Sequence, residues 1–241
     1  MNDELLRKHE GHVTHLTINR PQKANALSAS LVEALLNAVE YACTDGTRLM
    51  IVDAAGPGFC SGFDFTDYQA CSEGDLALRF LRIETLLQQL YHAPFETLAL
   101  AHGRALGAGA DLVCACGIRV AAPGTTFRLP GLRFGVVLGT RRLAHRIGAD
   151  HARAILAATR PFDADEAHAM RFLTHVIPQS EWPTLTRRTC AECETLAPGA
   201  AAALHRHTIT DTRADDMAAL AASVSAPGLK ERIRRYRETN T

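Results

Sequence analysis

Leu98-Ala99-Leu100-Ala101-His102-Gly103-Arg104-Ala105-Leu106-Gly107-Ala108-Gly109-Ala110-Asp111-Leu112-Val113-Cys114-Ala115-Cys116-Gly117-Ile118-Arg119-Val120-Ala121 is the stretch that decides the fold. Leu98 to Ala101 is a short apolar run, the type buried on both faces of a parallel sheet. Gly103 to Gly109 reads as a glycine- and alanine-rich turn, and Asp111 to Cys116 reads as helix. Ile118 to Ala121 returns to a strand. Strand, helix and strand in so few residues make a βαβ unit, which demands a parallel sheet with helices packed on it.

The same rhythm extends outward. Upstream, residues 12–19 are rich in β-branched types and read as a strand that Arg20-Pro21 stops. Ser30-x-x-Glu33 has the form of a capping box, and Leu31, Leu35 and Val39 then recur every four residues on one helix face. Leu49 to Val52 is a second buried strand, Gly56-Pro57-Gly58 a forced turn, and residues 73–92 a long helical pattern. After about residue 140 the signals are mostly helical, with an alanine-rich stretch at 198–223. No repeat or linker divides the chain. The expected organisation is a sheet-bearing core over residues 1–180 and a helical C-terminal region over 181–241 suited to oligomerisation.

Composition excludes several classes of function. Among the 241 residues, Lys+Arg and Asp+Glu each total 26, so a net charge of zero gives no electrostatic case for nucleic acid or a membrane surface. The start of the chain is polar and reads as no secretory signal, and no apolar run approaches the ~20 residues of a bilayer span. Seven cysteines form an odd set without framework spacing, which points to a reducing compartment and to the cytoplasm. Cys190-x-x-Cys193 falls inside a helical pattern without a second ligand pair, so it reads as inert thiols. His9, His12 and His15 match no zinc spacing, so no metal is expected.

Two loops place small residues where backbone must approach something closely: Phe59-Cys60-Ser61-Gly62-Phe63-Asp64 and Gly103 to Asp111. Small residues at a helix N-terminus leave N–H donors unpaired, and the helix dipole favours negative charge there. If the loops face each other, one N–H from each can hold a developing oxyanion. The sequence has no complete G-x-G-x-x-G after the first strand, no G-x-x-x-x-G-K-[ST] and no G-x-S-x-G.

In this order and spacing the two loops resemble the crotonase superfamily, the enoyl-CoA hydratase/isomerase family. The resemblance spans roughly residues 12–180. It includes Arg20-Pro21 with Asn25-Ala26-Leu27, Phe59 to Asp64 as F-x-x-G-x-D, and Gly103 to Asp111 as G-x-A-x-G-x-G-x-E with Asp for Glu. Phe127-Arg128-Leu129-Pro130, Thr140-Arg141-Arg142-Leu143, Ile147-Gly148, Ala164-Asp165-Glu166-Ala167 and Phe172 to Pro178 follow in order.

This likeness implies an α/β fold, a crotonase-like spiral of ββα units with a helical C-terminal appendage. It also implies an enzyme of fatty-acid metabolism acting on acyl-CoA thioesters, assembled as a homotrimer or dimer of trimers. No separate cofactor is implied, since coenzyme A enters with the substrate. Carried over by position, the oxyanion donors are the N–H groups of Phe63 and Ala108, with Asp111 as the catalytic carboxyl. Lys23, Ala24, Ser61, Gly62, Asp64 and Gly107 fall at substrate-binding positions: Ser61 and Gly62 would meet the adenine end of CoA, Lys23 lies near that edge, and Asp64 fixes its loop. Phe63 is bulkier than the family's usual residue and would narrow the acyl pocket. His102 is a further candidate to face the pocket. Asp67, Tyr68 and Glu84 are expected to vary. Arg141, Arg142 and His145 are expected on a solvated helix face, as is the basic run Lys230, Arg232, Arg234, Arg235 and Arg237.

Two departures stand against the family pattern. The hydratases' second glutamate maps to Gly131, which carries no proton, and the turn Gly135 to Gly139 is about three residues short. Hydration, isomerisation, decarboxylation and thioester hydrolysis all remain open. So does a crotonase-fold subunit that binds or assembles without catalysis.

Overall fold

The computed structural model describes residues 4–197 and 199–239. Part of the polar start of the chain and one position of the alanine-rich stretch lie outside them. In chain order the elements are β1 (Leu5–Glu10), β2 (Val13–Ile18), α1 (Ala29–Ala42), β3 (Leu49–Ala54), α2 (Glu73–Tyr91), β4 (Glu96–Ala101), β5 (Arg104–Leu106), α3 (Ala108–Ala115), β6 (Ile118–Ala121) and β7 (Thr126–Arg128). Then come α4 (Thr140–Ile147), α5 (Ala149–Ala158), β8 (Phe162–Asp163), α6 (Ala164–Ala169), β9 (His175–Val176), α7 (Trp182–Thr195), α8 (Ala200–Thr208), α9 (Arg213–Ser225) and α10 (Leu229–Glu238).

The main sheet has the order β1-β2-β3-β4-β6-β9, parallel except for the antiparallel pair β1 and β2. A second sheet, β5-β7-β8, holds the chain that turns away from it. The expected strands at 12–19, 49–52, 98–101 and 118–121 are present as β2, β3, β4 and β6, and they are neighbours. Along β3, Met50 and Val52 point into the main core while Leu49 and Ile51 pack with Leu98, Leu100 and Val120 on the opposite face. Leu185 and Trp182 of α7 close that second face. Burial on both faces explains why these strands are continuous apolar runs rather than alternating ones. Among the described residues no helix is long and apolar enough to cross a membrane.

Three local expectations need correction. The cap of α1 is Ser28, whose hydroxyl accepts from Leu31 N, so the helix starts earlier than a Ser30 capping box allows. β1 was not expected, because its charged side chains hide a strand that pairs along only one edge. The Gly103 to Gly109 turn contains β5, and α3 begins at Ala108 rather than Asp111. Only β5 depends on a partner distant in sequence, β7; β1 and the Ser28 cap bond near neighbours.

The Arg20 to Leu27 segment staples the chain around the first of the two loops. Asn25 is fully buried; its side-chain oxygen accepts from Arg20 N, and its amide donates to Ala55 O and Gly58 O at 2.8 Å each. Arg20 in turn contacts Asp64 Oδ2 at 2.7 Å and also pairs with Glu4. Replacing Asn25 by Ala leaves two carbonyls and one amide without partners. Asn25→Ala is expected to lower unfolding free energy by about 3 kcal/mol in urea titration, since each buried unsatisfied group costs roughly 1–3 kcal/mol.

Candidate functional site

The first loop lies as an extended strand between two neighbours. On one side Ser61 N donates to Ala24 O, Leu27 N donates to Gly62 O, and Asp64 N donates to Leu27 O. On the other side Cys60 N donates to Arg104 O, and Leu106 N donates to Cys60 O at 2.8 Å. Gly62, at φ +87°, breaks the alternation of an extended strand. The bonds from Leu27 N to Gly62 O and from Asp64 N to Leu27 O make a parallel Leu27–Phe63 bridge, in which the N–H of Phe63 itself points away from Leu27, to the β5 side. There β5 has ended and α3 has begun. No amide-to-carbonyl bond of Phe63 is present among the described residues, and none of Ala108, the first residue of α3.

Glycine permits this closeness. A Cβ built on Gly62 (φ +87°) would lie 2.5 Å from Leu106 O and 3.1 Å from Ala108 N. One on Gly109 would overlap Cys60 O, and one on Gly103 would overlap Pro57 O. The glycines of both motifs thus mark contacts between the loops rather than contacts with a ligand. Gly107, at φ +52°, donates its N–H to Arg128 O and turns the chain from β5 into the helix.

Phe63, Ala108 and Asp111 all line one cavity of about 770 Å³, measured with the solvent at its mouth. Ala108 and Asp111 are three residues apart on α3 and so share a helix face. Ser61, Leu106 and Gly107 border the same cavity. Lys23 and Ala24 lie outside its lining, exposed on and just after a short 3-10 turn, Pro21–Lys23. The Ser61 amide is engaged with Ala24 O, and the Gly62 amide faces Cys60 Sγ at 3.4 Å, so neither is left over as a donor for an adenine ring. Asp64 accepts from Thr66 N and pairs with Arg20, a role in fixing the loop. His102 does not line the cavity: its Nε2 bonds Gly56 O at 2.8 Å.

Among the described residues Asp111 is the sole carboxyl on the cavity wall. It is 5% exposed, and burial pushes its pKa up to about 8 against the opposing pull of Arg142, with Glu84 pushing in the same direction as burial. Its Oδ1 sits where a side chain on Gly139 would begin, so the shortened turn Gly135 to Gly139 closes directly onto the carboxyl. Gly131 also lines the cavity, in the 3-10 turn Gly131–Phe134. A Cβ there would lie 2.9 Å from Val136 O, so the backbone leaves little room for the missing acid.

Sequence reasoning missed the charges beneath Asp111. Glu84 and Arg142 are 1% and 2% exposed at their side chains and form a two-pronged ion pair. Arg142 is therefore buried, not on a solvated face, and Asp216 of α9 lies 3.8 Å from it. Arg232 likewise leaves the expected solvated face: it donates to Phe134 O, Ser223 O and Ala226 O and ties α10 over the cavity. The i, i+4 pattern could have placed Glu84 on the apolar face of α2 beside Phe80 and Leu87, which is the one signal the sequence offered.

The raised Asp111 pKa has a definite sign for stability. Between pH of about 4 and 8 the unfolded chain loses this proton while the folded chain keeps it, so Asp111 erodes stability as pH rises through that window. Asp111→Asn removes the effect. The melting temperature of the variant minus that of the wild type is expected to grow by several degrees from pH 5 to pH 8, read by calorimetry, and to level off above it.

Comparison with known proteins identifies the family. A model of the enoyl-CoA hydratase/isomerase family matches residues 8–227. A Bordetella parapertussis protein assigned as an enoyl-CoA hydratase/isomerase superposes with a TM-score of 0.96 at 47% identity, covering 97% of this chain and 98% of that one. An enoyl-CoA isomerase/hydratase of Mycosarcoma maydis is 30% identical over 200 residues, 77% of this chain and 73% of that protein. The human mitochondrial methylglutaconyl-CoA hydratase is 32% identical over 171 residues, 69% of this chain but 50% of that protein.

Proposed function

The chain belongs to the enoyl-CoA hydratase/isomerase family, and from that premise we propose that it shifts a proton on an acyl-CoA thioester with Asp111 as the single acid–base group. The observation that carries this reading is one carboxyl on the cavity wall, on the same helix face as an unpartnered amide. In the proposed complex the thioester oxygen accepts from Phe63 N–H and Ala108 N–H. The Asp111 carboxylate takes a proton from the carbon α to the thioester carbonyl, the C–H electron pair becomes the new C=C bond while the carbonyl pair moves onto that oxygen, and the resulting enolate is held by the two amides. Each such donor is typically worth about 3 kcal/mol in the transition state.

Return of the proton to a different carbon completes an isomerisation with one carboxyl, no water and no redox change. Hydration asks for a second group to hold and activate water, and the position that would supply it is Gly131, packed against Val136 O. The single carboxyl therefore favours isomerisation. A pKa near 8 suits a group that must both take and give a proton at neutral pH. The trimeric assembly and cytoplasmic setting expected from the sequence belong to the same reading.

If Asp111 acts first as a base, kcat/KM is expected to rise about tenfold per pH unit below 8 and to level off above it. Asp111→Asn is expected to cut exchange of acyl protons with D2O at least about a hundredfold while acyl-CoA affinity stays within about tenfold, because the backbone donors are untouched. Wild-type protein that binds acyl-CoA yet never exchanges those protons would instead make the chain a binding subunit.

A further inference from the structure

Aromatic rings make up a large part of the cavity lining. Phe63 stacks on Phe80 with centroids 4.1 Å apart and planes 16° apart, and Phe65 adjoins Phe63 at 4.9 Å. Phe134 meets Phe65 edge-on at 6.1 Å, and Tyr236 from α10 meets Phe134 at 4.9 Å. The chain has only 14 Phe, Tyr and Trp residues, yet five of them line this one cavity. Leu129, Leu138 and Leu156 add aliphatic surface to the same lining.

We propose that the acyl group this cavity selects carries an aromatic ring, so that the substrate class is aryl-substituted enoyl-CoA thioesters; this rests on the thioester reading of the same site. A flat ring packed among these rings and Leu side chains gains edge-to-face or offset contacts that an alkyl chain does not make. It also loses less conformational freedom than a flexible chain burying similar area. Tyr236 gives α10 a share in that selection: Arg232 ties the helix to Phe134 O, and Tyr236 completes the ring lining beside Phe134.

The test compares two acyl groups of equal carbon count, phenylbutyryl-CoA and straight-chain decanoyl-CoA, by calorimetric titration of the wild-type protein. Their unsaturated counterparts, phenylbutenoyl-CoA and decenoyl-CoA, are compared by kcat/KM. The aryl thioester is expected to bind at least about tenfold more tightly and to react with a correspondingly higher kcat/KM. Phe134→Leu and Tyr236→Leu are expected to erase the preference while changing decanoyl-CoA affinity less than about threefold. Equal or tighter binding of decanoyl-CoA by the wild type overturns the aryl proposal and leaves the thioester reading standing. Acyl-CoA binding no tighter than that of free coenzyme A overturns both.

Discussion

Cys60 is the hinge of the site: its N–H donates to Arg104 O and its carbonyl accepts from Leu106 N, locking the first loop alongside β5. Everything chemical depends on that short parallel pairing. It ends where α3 starts, so the first amide of the helix arrives beside the loop, and the Leu27–Phe63 bridge on the other side turns the Phe63 amide toward it. The pairing is possible only because Gly62, Gly103 and Gly109 let backbone press against backbone. The thiol of Cys60 takes no part as a nucleophile, since full burial pushes its pKa up to about 12.

The second constraint is electrostatic. Three ionisable groups, Asp111, Glu84 and Arg142, are nearly excluded from water. Two of them neutralise each other through paired hydrogen bonds, and the third is left to hold a proton. Removing either partner of such a buried pair typically costs 3–5 kcal/mol, so the network is expensive to alter. Its position beneath α3 makes Arg142 and Glu84 opposing influences on the same carboxyl. Through Asp216, α9 is coupled to that balance as well. The stability cost of this network falls on the one carboxyl that, among the described residues, lies at the cavity wall and has no ion-pair partner.

Much of this was legible in the sequence because it lives on short-range patterns. The buried strands at Leu49, Leu98 and Ile118, the turn at Gly56-Pro57-Gly58 and the two glycine loops announce themselves through residue type alone. The order of the loops gave the family. What escaped rests on pairings that residue type does not announce: β1 against its neighbour β2 despite charged side chains, Ser28 rather than Ser30 as the cap, and Arg142 inside against Glu84 rather than outside. A charged residue carries no sign of whether a carboxylate waits for it 58 positions away. The aromatic lining escaped because Phe134 and Tyr236 meet only through α10 folding back.

The central claim is that two backbone amides polarise one thioester carbonyl, and the vibration of that carbonyl reports on it most directly. Difference infrared spectra of the protein with an acyl-CoA bearing a carbon-13 thioester carbonyl would isolate the stretch. A clear shift to lower frequency on binding, retained in Asp111→Asn, is the expected result. A bound carbonyl that keeps its aqueous frequency would contradict the account, because no pair of amides would then be holding it.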